Sequence, residues 1–425
     1  MTSLLKMRLL ENLSYAVTIF FFLIVLSYYF LLFIKHKKAK KVRSFSSITI
    51  IMPAHNEEKY IKEAIDSVIA ADFNGSKEII IVDDGSIDST AEIASKYVNK
   101  NIKLLRTKHS GKSASINRAL ESANGELISI VDADSCIHKN ALVEMSDELT
   151  RDKIAGVCGI VKVKNRMKPI CMWVHIELLF GSLMRSLFSK VNANITTPGA
   201  LSMYIKKNLV EVGGFSTKGY SEDVDITIRL IRKGYKIGFR ETAITETNMP
   251  YDIKGFIRQR KRFARGAINI VKKHLRLNNT IIDIYTLPIL LFSLIQSLIM
   301  GSFITYQIIN GYITYFYSKG IYFNFVVLKF FFEWFSLAGF VRWLISVFSG
   351  QTPLTLITVI GIISTFLSYP LIILAILKYD RKIDLWHFIP LFFMFPFWFL
   401  LMLINIYCVP EYFKKEQYNI WKKNE

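Results

Sequence analysis

Lys77-Glu78-Ile79-Ile80-Ile81-Val82-Asp83-Asp84-Gly85-Ser86-Ile87-Asp88-Ser89-Thr90-Ala91-Glu92 is the stretch whose reading decides the fold. Residues 78–82, apolar and β-branched from Ile79 on, read as a strand. Asp-Gly then closes it with a turn. Ser89, with Glu92 three residues on, matches a capping box and predicts a helix directly after the turn. The same order recurs on both sides. Upstream, residues 47–52 read as a strand, followed by an amphipathic helix with Ile61, Ile65, Val68 and Ile69 on one side. Downstream, residues 102–105 read as a strand, 113–122 as a helix and 127–131 as a further strand. Such alternation predicts an α/β domain with a mainly parallel, Rossmann-like sheet covered by helices on both faces. Ligands of these sheets bind beyond the carboxyl ends of the strands. Asp84 and the cluster Asp132-Ala133-Asp134 both follow apolar strands, so they should meet at one crevice.

Each acidic cluster has a chemical use beside a plain structural one. Asp84 can accept hydrogen bonds from a base or a ribose, although an Asp-Gly pair also makes an ordinary turn. Asp132 and Asp134 lie two apart, so extended backbone would direct both to one side. Two hard oxygen ligands there suit Mg2+ or Mn2+, with phosphate oxygens completing the shell. Glu222-Asp223 opens a helix expected over residues 224–233. Acidic residues favour a first helical turn for dipole reasons, but Asp223 can also take a proton from an attacking hydroxyl. Asn56, in Pro53-Ala54-His55-Asn56-Glu57-Glu58, reads by itself as a helix cap. Gln259 and Arg262, three apart, share one helix face.

The chain has 425 residues, a formal charge of +20 and 14% aromatic residues, with a mean hydropathy of +0.31. This suits one sizeable soluble domain plus a membrane portion. The cations concentrate at Lys35, Lys37, Lys38, Lys40, Lys41 and Arg43 and again between Lys254 and Arg276. Both groups adjoin apolar segments, which fits lipid headgroups and the positive-inside rule. No zinc-finger spacing or RNA-binding signature supports a nucleic-acid partner. Cys136, Cys158, Cys171 and Cys408 have no paired spacing and read as free thiols. The seven histidines show no zinc-type spacing.

Residues 14–34 form an uncharged apolar run, and at ~1.5 Å per residue a helix of that length spans the ~30 Å hydrocarbon core. The cations after it outweigh Lys6 and Arg8, which places the N-terminus outside and the next domain in the cytoplasm. Further spans are expected at residues 285–308, 323–348, 354–377 and 386–409. Lys329, Glu333 and Arg342 blur the second of these. Four spans return the tail, with Lys414, Lys415, Lys422 and Lys423, to the cytoplasm. They also put Lys378, Arg381 and Lys382 outside, against the charge rule. The resulting divisions are 1–44 (first span and basic segment), 45–250 (cytoplasmic catalytic domain), 251–280 (basic amphipathic segment) and 281–425 (C-terminal spans and tail).

PAHNEE, VDDGS, GKSASINRAL, DAD, SEDVD and QRKRFARG, in this order over roughly residues 47–267, resemble a membrane-bound family 2 glycosyltransferase. Its relatives include the hyaluronan, chitin, cellulose and poly-N-acetylglucosamine synthases. The resemblance implies a cytoplasmic GT-A domain joined to a helical transmembrane region, in a multi-pass protein of the plasma membrane. By that resemblance Asn56, Glu57, Asp84 and Lys112 contact the nucleotide, and Asp132 belongs with the donor diphosphate. Asp134, with Asp132, is similar to the site for Mg2+ or Mn2+, and Asp223 to the catalytic base. Gln259 and Arg262 match a Q-x-x-R-W motif that meets the pyrophosphate. Phe263 stands where the family has tryptophan, keeping an apolar ring but losing the indole N–H. Glu222, Phe263, Gly199 and Ala200 fall on the acceptor side.

The implied activity is hexosyl or N-acetylhexosaminyl transfer with inversion, from a nucleotide-sugar (a UDP-sugar above all) to a saccharide hydroxyl. Processive polysaccharide synthesis is one outcome. The alternative is transfer of one sugar to a lipid acceptor such as a polyprenyl phosphate or glycolipid, which with membrane lipids completes the partners. Arg258, Arg260, Lys261 and Arg265 are expected to grip headgroups rather than substrate.

Overall fold

The computed structural model describes residues 3–35, 40–276 and 278–414, so the readings of Lys37, Lys38, Lys415, Lys422 and Lys423 lie outside the described residues. Eight strands form one sheet. In chain order they are β1 (Ser47–Ala54), β2 (Ser76–Asp84), β3 (Ile102–Thr107), β4 (Leu127–Ile130), β5 (Ser135–Ile137), β6 (Ile154–Val163), β7 (Ser202–Ile205) and β8 (Lys236–Thr247). Their order across the sheet is β3-β2-β1-β4-β7-β6-β8-β5. The first half is parallel throughout. The second half is mixed: β7 runs antiparallel to both β4 and β6, and β5 antiparallel to β8. The expected parallel alternation therefore holds up to β4.

Period-two alternation sends the central strands into two cores. Ile48, Ile50 and Met52 of β1 pack with Ile61, Ala64, Ile65 and Val68 of the helix Ile61–Ala70. Ile51 of β1 and Ile80 and Val82 of β2 pack on the other face, against Ile116 and Leu120 of the helix Lys112–Ser122. Ile226 and Leu230 of the helix Glu222–Arg232 complete that second core. Ile69, expected on the packed side of its helix, is exposed.

Two local expectations change. The Ser89 side chain makes no cap hydrogen bond. Asp88 takes that place, accepting from the Thr90 N–H at 3.0 Å and from its hydroxyl, because its carboxylate already lies against the Glu58 N–H at 3.2 Å. The Asp132–Asp134 pair does not sit on extended backbone either. β4 ends at Ile130, and the Ser135 N–H donates to the Asp132 carbonyl at 3.0 Å, so the acidic pair occupies a turn.

Among the described residues, five helices are long and apolar enough to cross a membrane: Asn12–Phe33, Pro169–Ser189, Ile282–Lys319, Val359–Tyr379 and Met394–Phe413. Pro169–Ser189 was not expected among them. It packs through Val174, Leu179 and Leu183 onto β6 and onto Ile372 and Ile376 of the helix Leu356–Tyr379. The span expected at 323–348 is instead two short helices, Phe325–Phe335 and Leu337–Phe348, broken at the extended Ser336. That break resolves the conflict over Lys378. Its ammonium pairs with Glu241 of β8, and Lys162 of β6 reaches both the Tyr379 carbonyl at 2.6 Å and Asp380 at 2.7 Å. The turn after Tyr379 thus lies against the sheet domain.

Candidate active site

The crevice forms where β1, β2 and β4 end, and its best-fixed member is Asp84. Its carboxylate is fully buried. It accepts from the backbone N–H groups of Ser110 and Gly111, each at 2.8 Å, and from the Thr107 hydroxyl at 3.2 Å. Burial pushes its pKa up, but the Ser110 and Gly111 N–H groups and the nearby His109 outweigh that and hold it below the ordinary value. His55 and His109 flank it as a stacked pair with ring centroids 4.0 Å apart, and the Nδ1 of each lies within hydrogen-bond distance of the Asp84 carbonyl. Asp84 therefore orders the loop that leads into Lys112. Asn56, in the left-handed region at φ 54°, spans the neighbouring gap, receiving the Ile87 N–H on Oδ1 at 3.0 Å. Glu57 is buried beside it, with its N–H donating to the Thr90 hydroxyl at 2.7 Å.

Lys112 opens its helix with its ammonium buried among carboxylates. It pairs tightly with Asp132 and lies 3.7 Å from Glu222. Burial alone would lower its pKa, but the charges of Asp132 and Glu222 overcome that and raise it. Gly199 presses on this pair: a Cβ at that position would collide with Nζ of Lys112 and come within 3.2 Å of Oδ2 of Asp132. The loop carrying Gly199 and the buried Ala200 is thus seated directly on the cation–carboxylate pair. Asp134 sits one turn on, its Oδ1 accepting from the Ser135 hydroxyl at 3.2 Å and the Thr247 hydroxyl at 3.4 Å.

Asp223 stands in the first turn of Glu222–Arg232. Burial pushes its pKa up to about 6, and the adjacent Glu222 charge adds to the rise, against the pull of Lys112 and Arg262. A hydroxyl relay fixes its backbone. Thr227 donates to the Asp223 carbonyl at 2.6 Å, Thr197 contacts Thr227 at 2.7 Å, and Tyr204 contacts Thr197 at 2.6 Å. Sequence reasoning did not single out this buried Tyr204–Thr197–Thr227 line, since hydroxyls at those spacings have no readable pattern. Asp225, from the same acidic cluster, is structural. It binds Arg229, Lys273 and His274 at 2.7–2.8 Å. Burial works to raise its pKa, but His274 and Lys273 hold it well below the carboxylate range.

The helix Ile253–His274 closes the crevice. The charge of Arg262 acts on both Lys112 and Asp223, and its Nε is buried without a hydrogen-bond acceptor. The Gln259 amide donates to Sδ of Met249 at 3.4 Å, while its Oε1 is also buried and unpartnered. Phe263 is 44% exposed, with the guanidinium groups of Arg260 and Arg262 at 5.5 and 6.0 Å from its ring centroid. Three of the cations expected to meet headgroups are engaged within the protein instead. Arg260 forms a buried bidentate pair with Glu177 at 2.6–2.7 Å, Lys261 lies over the Tyr407 ring, and Arg265 pairs with Glu411 at 3.2 Å. The apolar rings of Phe256 and Phe397 surround Arg260, so its charge is better served by a carboxylate than by lipid.

The carboxylates of Asp132 and Asp134 fit a hard divalent ion by donor type. Asp132 here leans on Lys112, so such an ion would share that carboxylate with the ammonium. A second group with metal-type side chains gathers His175, Asp380 and His387. It fits a cation poorly. The Val163 N–H donates to Nδ1 of His175 at 3.2 Å, which leaves the ring proton on the Nε2 that faces Asp380. Lys162 and Arg166 already neutralise that carboxylate.

Residues 49–212 match the family model described as Glycosyl transferase family 2. A probable glycosyltransferase of Bacillus subtilis, YdaM, is 31% identical over 249 residues, covering 56% of this chain and 59% of that protein. The poly-beta-1,6-N-acetyl-D-glucosamine synthase of Staphylococcus aureus is 28% identical over 255 residues, covering 57% and 61%. The chain thus spans about three fifths of the length of these curated relatives. Among solved structures, the mannosyltransferase PcManGT of Pyrobaculum calidifontis, in complex with GDP-Man and Mn2+, superposes with a TM-score of 0.57. It covers 95% of this chain and 99% of that one at 18% identity, a likeness of fold.

Proposed function

We propose that this chain, which carries a family 2 glycosyl transferase domain over residues 49–212, is an inverting membrane glycosyltransferase that moves a sugar from a nucleotide-sugar to a saccharide hydroxyl. The observation that carries this reading is the pairing of two differently tuned groups across one crevice. Lys112 is held charged among Asp132 and Glu222, while the Asp223 carboxyl is raised to about 6. A cation held at the diphosphate end and a carboxylate poised near neutral pH at the acceptor end are what a single in-line displacement needs. Asp132 and Asp134 would hold Mg2+ or Mn2+, which supplies Lewis-acid stabilisation to the departing diphosphate.

In this reading Asn56, Glu57 and the loop ordered by Asp84 receive the nucleoside, and Lys112 and Arg262 face the pyrophosphate. Gln259 lies on the same helix face as Arg262, and its unpartnered amide oxygen would accept from a hydroxyl of the donor. Asp223 takes the proton of the acceptor hydroxyl as that oxygen bonds to the anomeric carbon and the nucleotide diphosphate leaves. Glu222, Gly199, Ala200 and Phe263 border the acceptor. The raised carboxyl favours a hydroxyl acceptor over a lipid phosphate, which is already ionised and needs no base. The donor is a UDP-sugar delivered from the cytoplasm, and the helices that can span the membrane hold the product at the plasma membrane.

The test is nucleotide release by the full chain in membranes, with a panel of UDP-sugars and GDP-sugars and with Mg2+ or Mn2+ present. One donor should yield nucleotide diphosphate and a sugar-extended product, and a chelator should stop it. Absence of nucleotide release with every donor would refute the proposal. Product that runs as a single lipid-linked sugar would favour the lipid acceptor.

A further inference from the structure

Where the first apolar helix and the helix Leu356–Tyr379 reach the sheet domain, they leave a cavity of about 550 Å³. Leu32 and Leu374 of those two helices line it, with Leu183 and Phe239 from the domain. Lys190 and Lys378 stand at the same cavity, close enough for their charges to repel. One carboxylate, Glu241, lies with them. It pairs with Lys378 and also accepts from the Ser186 hydroxyl at 3.0 Å. Lys190 donates to the Leu31 and Leu32 carbonyls at 3.0 and 3.3 Å. Those bonds cap the end of the first apolar helix and fix the ammonium at that depth. Arg151 and Arg240 line the cavity too, but Glu148 and Asp147 neutralise them.

The combination is specific: an apolar floor made by the ends of two helices fit to cross a membrane, and two ammonium groups that share one carboxylate. We propose that this cavity binds the phosphate headgroup of an anionic phospholipid from the leaflet on the catalytic-domain side. The phosphate sits between Lys190 and Lys378, and the acyl chains run along Leu32 and Leu374. An anion there relieves the repulsion between the two lysines, and lipid chains cover apolar side chains that no protein group fills. A soluble phosphate would meet the same cations but gain nothing from the floor, so the site is committed to a lipid. The site lies outside the transfer chemistry and stands whether or not the proposed activity does.

The experiment is native mass spectrometry of the full chain after equilibration with phosphatidylcholine vesicles that contain or lack phosphatidylglycerol. The wild type should retain phosphatidylglycerol in preference to phosphatidylcholine. Lys378→Gln should weaken that preference about fivefold, the effect of one cation at an anionic surface. Leu374→Trp, which fills the cavity without altering charge, should also lower retention, and it keeps the test valid if Lys190→Gln disturbs the helix end. Equal retention of the two lipids, retention unaffected by both Lys378→Gln and Leu374→Trp, or displacement of the bound lipid by inorganic phosphate would overturn the proposal.

Discussion

At Asp223 a carboxyl with a pKa raised to about 6 is both the proposed base and a cost to the fold. As a base it works only when ionised, so transfer should fall with a single proton as pH drops through about 6. A rate profile that stays flat down to pH 5 would contradict the assignment. Asp223→Asn removes the base and should lower kcat by about 10²–10⁴, measured as nucleotide release at saturating donor. The stability effect has the opposite sign. The folded pKa lies above the ordinary aspartate value of 3.8, so the native state binds more protons between those values and stability declines as pH rises through that window. Asp223→Asn should therefore melt higher than the wild type at neutral pH, by on the order of 1–3 kcal/mol. A variant that is inactive but more stable separates a strained functional group from a structural one. Asp225, two residues on and held by Arg229, Lys273 and His274, should behave in reverse and lose stability on substitution.

Two contacts tie the helix Ile253–His274 to the rest of the site. Gly266 packs so closely on Ser221 that an added Cβ would overlap its hydroxyl, which brings the basic helix against the start of Glu222–Arg232. Gly266→Ala asks only for a hydroxyl rotation, but Gly266→Leu must part the two helices. We expect the leucine variant to lose about 1–3 kcal/mol and to raise the KM for donor, as Arg262 is carried away from Lys112. The second contact is the buried Arg260–Glu177 pair. Glu177→Ala leaves a guanidinium uncompensated among aromatic rings and should cost about 3–5 kcal/mol, seen as a lower thermal midpoint in detergent. These residues show how far the element was legible. Three-residue spacing was enough to put Gln259 and Arg262 on one face. It could not reveal that Arg260 turns inward to Glu177, because the partner lies on a helix 83 positions away.

Across the whole molecule, the turn after Tyr379 clamps the helices long and apolar enough to cross a membrane to the sheet domain. Asp380 accepts from Lys162, Arg166, His175 and His387 at 2.6–3.1 Å. Asp380→Ala strands four donors on three elements, and the expected loss is about 3–5 kcal/mol. Limited proteolysis between the sheet domain and the C-terminal helices should accelerate in that variant. The span count read from the sequence had put Lys378, Arg381 and Lys382 on the far side, against the charge rule, since it took 323–348 as a full crossing. The break at Ser336 and the ion pair made across it by Glu333 with Arg342 are packing outcomes that hydropathy does not encode.

What the sequence determined by itself was whatever depends on near neighbours along the chain. The β1 and β2 alternation, the placing of acidic clusters after strands, the amphipathic run of Ile61 to Val68 and the first apolar helix all follow from local sequence pattern, and so did the resemblance carried by the ordered motifs. Tertiary structure decided which member of each cluster does what. Asp84, Asp132, Asp223 and Asp225 are equivalent as letters. Burial, the Ser110 and Gly111 N–H groups, the Lys112 ammonium and the Lys273–His274 pair make one a loop anchor, one a cation's partner, one a carboxyl raised towards neutrality and one a structural pin. The reason is physical: a carboxylate's charge state and reach are set by groups brought to it from tens of residues away, and that proximity exists only once the sheet has formed.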